Sequence, residues 1–347
     1  MFIERLVALL LLFAGEFAYL RIADRFNIID RPNQRSSHKK NVLRGGGIIF
    51  LLGVWMYAFL NTTGYPLFIG GMTLIASVAF IDDVCSLSPR FRFFVQFVAM
   101  FLLLQEAGML VENKVWFLLP TMILGVCIIN AYNFMDGING MTGAFSLMVL
   151  FTFWLLNREM AFIDATLIEL LMISALVFCF FNFRNQAICF AGDVGSVGMA
   201  YCVIFILLKL VLFTGNVTYL LFLVVYGIDT VLTIFHRLLL HENLLQPHRK
   251  HLFQLLANEG GHSHVTVSIT YVLLQLAISL GYIYLPIDKW LYSVIVTIGL
   301  VTAYLIIERK LYPKHKEYLK SLSCAVMDEG YLSLIHISEP TRQEAIS

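Results

Sequence analysis

The stretch VWFLLPTMILGVCIINAYNFMDGING (115–140) contains both signals that decide the fold. Its first part, 115–132, is apolar over about the 17–25 residues that a helix needs to cross a bilayer. It then breaks into a polar turn holding Asn130, Asn133, Asp136, Gly137, Asn139 and Gly140. Further apolar stretches stand near 2–22, 46–62, 66–81, 93–111, 142–156, 163–181, 196–213, 217–236, 265–287 and 290–307. Ten or eleven membrane helices, about eleven in the fullest reading, are therefore expected. The expected fold is an all-α, polytopic membrane protein whose chemistry sits in the loops.

Composition agrees with that class. Hydrophobic residues make up 59% and charged residues 14% of the chain, and the mean hydropathy is +0.80, whereas soluble domains run at about 45–50% and 25%. A net charge of +1, with its cations spread by topology, indicates no nucleic-acid partner. Arg25, Arg31, Arg35, Lys39, Lys40 and Arg44 lie between the first two spans, and Arg309, Lys310, Lys314, Lys316 and Lys320 follow the last. The positive-inside rule puts both segments in the cytoplasm and the N-terminus outside. Glu4, Glu16 and Arg21 interrupt 2–22, so it reads as a retained helix and not as a signal peptide. The six cysteines form no C-x-x-C pair, which argues against disulfides and structural zinc. Residues 1–312 read as one membrane domain and 313–347 as a polar tail. The final SLIHISEPTRQEAIS (333–347) has no helical periodicity and resembles translated cloning-adapter sequence.

Alternation of the spans brings five polar segments to one face: DRPNQRSSHKKNVLRGGG (30–47), DDVCS (82–86), NAYNFMDGING (130–140), FAGDVGS (190–196) and HENLLQPHRKH (241–251). The adjacent carboxylates Asp82 and Asp83 repel unless a cation lies close, and they fit either a metal or substrate site or a solvated helix end facing Arg90 and Arg92. Around Asn133 and Asp136, the amide and carboxylate oxygens suit magnesium; the alternative is an Asx-rich turn capping two helices, but four polar side chains in eleven residues exceed what a cap requires. Asp193 and Ser196 stand where they can cap a helix, and a helix start also favours an anion. His248, Arg249 and His251 read as a diphosphate clamp or as a loop facing anionic lipid. Glu106, Glu169, Lys209 and Asp229, inside predicted helices, are expected to face the bundle interior or an interface.

In order and context, these five segments resemble the polyprenyl-phosphate N-acetylhexosamine-1-phosphate transferases of glycosyltransferase family 4. The resemblance runs from about Ile3 to Tyr312. It implies that Asn133 and Asp193 ligate Mg²⁺, with Mn²⁺ as a substitute, and that Phe190 contacts the uracil. It also implies that His248, Arg249 and His251 hold the pyrophosphate or nucleotide-sugar. Asp82 and Asp83 would lie beside the lipid phosphate, and Asp136 would position nucleotide or metal. Arg35, His38 and Arg44 match a loop that helps close the site. The last loop departs from many relatives, with HLFQLL (251–256) in place of a His-rich triplet, which leaves the sugar open.

The reaction so implied is attack by undecaprenyl phosphate on the β-phosphorus of a UDP-sugar, which releases UMP and starts a lipid-linked cell-envelope polysaccharide such as an O-antigen or capsule. The partners implied are the UDP-sugar, undecaprenyl phosphate and the bilayer of a bacterial inner membrane, with the site facing the cytoplasm and room left for a homodimer. Two other classes share some features. A transporter would place its carboxylates near the bilayer midplane and show repeated halves, and neither is seen. A CDP-alcohol phosphotransferase needs Ala-Arg after Asp-Gly, which NFMDGINGMTG (133–143) lacks.

Overall fold

The computed structural model describes residues 2–32, 40–62, 64–110, 115–244 and 248–338, with side chains as far as Tyr318. Arg35 and His38 lie outside the described residues. The helices are α1 (Phe2–Arg25), α2 (Ile48–Leu60), α3 (Pro66–Val84), α4 (Pro89–Glu106), α5 (Leu118–Met135) and α6 (Met141–Met160), then α7 (Ala165–Asn182), α8 (Gly192–Thr214), α9 (Val224–Leu239), α10 (Leu252–Asn258), α11 (His264–Tyr284) and α12 (Lys289–Ser338). Among the described residues, 9 helices are long and apolar enough to cross a membrane, the shorter α2 being apolar as well. Each expected span falls on helical residues and the all-α polytopic fold is the one observed, but nine of the described helices and not ten or eleven meet the length and apolarity for crossing: α2 is short, and α4 carries Arg90, Arg92 and Glu106.

Local signals set the helix ends. Pro66 and Pro89 open α3 and α4, where the missing N–H costs nothing. Ser88 Oγ accepts from Phe91 N at 3.3 Å, Asp164 Oδ1 from Thr166 N at 2.9 Å and Ser263 Oγ from Thr266 N at 3.1 Å, each satisfying an N–H that has no partner within the helix.

The middle of the bundle is α8, which packs on α3, α5, α2 and α6. Small residues allow that approach: a Cβ on Gly71 would strike the Tyr201 hydroxyl, and one on Gly198 would meet Met72 Cε at 2.9 Å. Lipid tails are as apolar as leucine, so close van der Waals packing of this kind, and not hydrophobic burial, drives helix association in a membrane. Phe68 stacks on Phe205 at 4.3 Å and on Tyr201 at 5.6 Å in the same layer.

The charged residues expected to face the interior have partners. Glu106 Oε2 accepts from Leu67 N at 2.6 Å and so caps α3 from the end of α4. Glu169 pairs with Arg5 at 2.6 Å, and Lys209 Nζ stands 5.6 Å from the Tyr65 ring centroid. Asp229 is buried at the start of the last loop's network.

The tail departs from expectation. α12 runs through Tyr312 and Pro313 to Ser338 without stopping. A helix already nucleated in the membrane extends at little cost, which is why weak periodicity did not end it. Residues 339–347, most of the adapter-like stretch, lie outside the described residues.

A small ribbon completes the architecture. Strand β1 (Ile29–Asp30) pairs antiparallel with β2 (Val42–Leu43), Ile29 opposite Leu43 and Asp30 opposite Val42. Leu43 also bridges in parallel to Cys189. The segment after the first span is thereby pinned to the segment before α8.

Candidate active site

Two glycine-bearing segments meet first. Gly46 N donates to Phe190 O at 2.9 Å and Gly47 N to Ala191 O at 3.0 Å. A Cβ on Gly47 would run into the Cα of Gly195. The glycines of RGGG (44–47) and FAGDVGS (190–196) thus serve close backbone contact with each other, a use that a sequence signal for anion binding does not distinguish.

Asp83 caps α8 from the end of α3. Its Oδ1 accepts from Asp193 N at 2.9 Å and its Oδ2 from Val194 N at 3.1 Å, while Arg44 Nε lies 2.8 Å from Oδ1. The expected capping by Asp193 and Ser196 is not seen. Both residues lie inside the helix, and Ser196 Oγ donates back to Gly192 O at 3.1 Å. A carboxylate from a neighbouring helix does the capping, which frees the Asp193 side chain. Gly192 holds φ +70° there, and a Cβ on it would collide with Asp83 Oδ2.

Asp82 takes the other arginine. Its Oδ1 accepts from Leu87 N at 2.6 Å and its Oδ2 from Arg92 Nη1 at 2.7 Å, and the same Nη1 reaches Asp193 Oδ2 at 3.2 Å. Arg44 Nη2 lies 3.5 Å from Asp193 Oδ1, which also accepts from Asn133 Nδ2 at 3.0 Å. Asp193 therefore sits between two arginines and an amide, at the point where α3, α4, α5 and α8 converge. Arg92 was visible in the sequence only as a neighbour for the Asp82–Asp83 pair. Its bridge from Asp82 to Asp193 depends on the packing of α4.

Two clefts open at this point. A polar one of about 230 Å³ is lined by Arg44, Asn133, Asp136, Asn139, Phe190 and Asp193, and also by Gln254 and His264. A second, of about 80 Å³, has Arg92, Gln96, Asn130 and Asn133 at its polar end and Ile75, Val78, Val95 and Val197 among its apolar walls. Asn133 and Asp193 belong to both. Asn182 ties the two motifs of the polar cleft together: its Oδ1 accepts from Gly140 N at 2.7 Å and its Nδ2 donates to Cys189 O at 2.8 Å. No local sequence pattern marks Asn182, Gln254 or His264, since each reaches the site only through the folding of a distant element.

Asp136 lies just past the end of α5, where Thr142 Oγ1 donates to its Oδ1 at 2.6 Å. Burial, helped by the charges of Asp193 and Asp83, pushes this carboxyl up to about 7, with Thr142 and Arg44 acting the other way. It holds its proton at pH 6 and is ionised at pH 8. A bound divalent cation favours the ionised form, so cation affinity should rise with pH through that range. At limiting Mg²⁺, activity is expected to climb between pH 6 and 8. Excess Mg²⁺ should move the rise to lower pH, and Asp136→Asn should abolish that Mg²⁺-dependent shift. A profile in Asp136→Asn that still moves with Mg²⁺ as in the parent would show that another group titrates.

The last loop stands beside the clefts without lining them. His251 Nδ1 lies 3.1 Å from Asp229 Oδ1, and Asp229 also accepts from Leu252 N, Phe253 N and the Tyr271 hydroxyl. The His251 ring centroid is 6.0 Å from that of Phe134, which lines the second cleft. Arg249 Nη2 pairs with Glu259 Oε1 at 2.9 Å, and Lys250 with Glu242. Burial and the neighbouring cations push His248 down to about 3, so it is neutral and offers hydrogen bonds without charge.

The residues fit a magnesium ion. Asp136 and Asp193 offer carboxylates, Asn133 an amide, and Asn139 Oδ1 is buried with no hydrogen-bond partner. Among the described residues no cluster of three His, Cys, Asp or Glu side chains is arranged to hold a metal. Magnesium commonly takes only one or two carboxylates and completes its shell with water and substrate phosphate.

The helical bundle thus gathers carboxylates, arginines and an amide where a polar and an apolar-walled cleft meet. Residues 65–211 match the model of glycosyl transferase family 4. Over that segment the chain is similar to the family, and the relatives it resembles are polyprenyl-phosphate sugar-1-phosphate transferases. Its relatives include a probable undecaprenyl-phosphate N-acetylglucosaminyl 1-phosphate transferase of Bacillus subtilis, 25% identical over 73% of this chain and 76% of the relative. The undecaprenyl-phosphate alpha-N-acetylglucosaminyl 1-phosphate transferase of Yersinia pestis is 26% identical over 78% and 80%. A decaprenyl-phosphate N-acetylglucosaminephosphotransferase of Mycolicibacterium smegmatis is 27% identical over 70% and 71%.

Proposed function

We propose that this protein transfers N-acetylhexosamine 1-phosphate from a UDP-sugar to undecaprenyl phosphate at the cytoplasmic face of a bacterial inner membrane, releasing UMP and starting a lipid-linked envelope polysaccharide. One observation carries the reading: Asn133 and Asp193 stand on the shared wall of a polar cleft and an apolar-walled one. A reaction between a nucleotide-sugar and a lipid phosphate needs that junction, because neither substrate suits the other's cleft.

In this reading the donor diphosphate lies in the polar cleft, with Phe190 against the base. The lipid phosphate enters the second cleft beside Arg92. A lipid phosphate oxygen attacks the β-phosphorus, the bond to the UMP oxygen breaks, and UMP leaves with the electron pair. The acceptor is largely ionised near neutral pH, its second pKa being about 6. It therefore needs orientation more than deprotonation, and fixing two polyanions in line is the main task of the site. Asp82 and Asp83 hold Arg92 and Arg44 at the meeting point, and these two cations offset the repulsion between the phosphates. His248, Arg249 and His251, in the last loop beside the clefts, would meet the part of the nucleotide-sugar that projects beyond the polar cleft. Mg²⁺, held by Asp193, Asn133 and Asp136, would supply further charge neutralisation on the diphosphate.

The test is direct. Purified protein with undecaprenyl phosphate and Mg²⁺ should move label from one of a panel of radiolabelled UDP-sugars into lipid. Failure with the whole panel, alongside a working relative as control, would overturn the assignment. Sidedness has its own check. In intact cells a cysteine in place of Lys40 should resist a membrane-impermeant thiol reagent, and one in place of Thr62 should react. The reverse pattern would put the clefts on the face that UDP-sugars do not reach.

A further inference from the structure

The start of the C-terminal segment, read from sequence as a tail, touches the last loop. His315 Nδ1 lies 2.8 Å from Glu259 Oε1, the same oxygen that takes Arg249 Nη2 at 2.9 Å. The Tyr318 ring lies under the guanidinium, 4.2 Å from Cζ to the ring centroid. The His315 side chain is 1% exposed, that of Glu259 5% and that of Arg249 12%.

Such a cluster is costly to bury unless it fixes something. A carboxylate taken from water must be compensated by its partners, and both partners here converge on one oxygen while Glu259 Oε2 has none. Arg249 Nε and His251 Nε2 are also buried without hydrogen-bond partners. Two nitrogens of the HRKH segment (248–251) are thus unclaimed by the protein while the rest of each group is tied down. Between these groups lies α10, held at its start by Asp229 and at its end by Glu259, and it presents Gln254 to the polar cleft.

We propose that Glu259 and His315 are positioning residues that, through Arg249, hold α10 and its Gln254 at the polar cleft, so that the cytoplasmic end of α12 is part of the donor site. The proposal rests on the reading of the protein as a UDP-sugar transferase. Neither residue touches substrate, and both act through Arg249. Tyr318 keeps the guanidinium plane in place by a cation–π contact. Leu252–Asn258 is too short to hold its own orientation as a free helix, so the clamp at both ends sets where it lies.

The experiment measures binding of UDP, common to every UDP-sugar, by titration calorimetry with Mg²⁺ on the full-length protein, together with KM for the lipid acceptor. Glu259→Gln is expected to weaken UDP about tenfold, the loss of one charge-assisted contact. The acceptor KM should change by less than about twofold. Arg249→Ala should weaken UDP at least as much, and adding Glu259→Gln to it should cost nothing further, since the two act as a unit. His315→Asn, which keeps an N–H near the Nδ1 position, should bind UDP as the parent does, and His315→Leu should not. General damage to the fold would raise the acceptor KM as well and would add to Arg249→Ala. Either of those results, or parental UDP binding in Glu259→Gln, would overturn the proposal while leaving the transferase reading intact. A parent protein that binds no UDP overturns both.

Discussion

Replacing Asp193 by alanine is expected to lower transfer by on the order of a hundredfold or more, because in the proposed reaction the carboxylate that both clefts share stands where charge develops. The fold should survive the change. Arg92 keeps Asp82 at 2.7 Å and Arg44 keeps Asp83 at 2.8 Å, so neither cation is left unpaired, and the cap on α8 comes from Asp83 through the backbone of residues 193 and 194. The measurement is label transfer at saturating Mg²⁺, paired with the thermal midpoint in detergent. Activity within tenfold of the parent, in a protein of parental stability, would remove Asp193 from the centre of the mechanism.

Gly47→Ala is expected to destabilise by about 3 kcal/mol or more, the upper range for overpacking, since the new methyl meets backbone and cannot be relieved by a rotamer change. Its nearest neighbours would be Gly195 Cα and N and Ala191 O. Moving them apart would break the Gly46 and Gly47 hydrogen bonds that pin the first-loop ribbon to the start of α8. Gly70→Ala in α3 is the control, because a methyl added there would find no atom within 4 Å and the substitution favours helix by about 0.5–1 kcal/mol. Thermal midpoints of the two variants, followed by size-exclusion chromatography after heating, should diverge widely. Equal midpoints would mean that the two glycine segments are less tightly apposed than the structure shows.

Periodicity and length made the spans legible. An apolar run cannot stop inside a bilayer without exposing unsatisfied peptide groups, so each stretch such as 115–132 had to become a helix. Alternation of the helices then brought the five polar segments to one end, and Asp136, Phe190, Asn133, Asp193 and Arg44 do line one cleft. Glycine was harder to read. RGGG (44–47) and FAGDVGS (190–196) are in space two faces of one backbone contact, which neither stretch shows by itself.

The amino-acid sequence by itself determined the class, the membrane-spanning helices and the identity of the polar groups available for chemistry, because these follow from local composition and from the inability of hydrocarbon to solvate a peptide. Only the tertiary structure decided which partner each group takes. Asp83 caps a helix 110 residues away from it, Arg92 bridges two carboxylates from different helices, and Glu259 meets a histidine beyond the expected end of the membrane domain. These pairings depend on how ridges of side chains settle against small residues in α3, α4, α5 and α8. Packing of that kind is a property of the surfaces in contact, and no window of sequence records it.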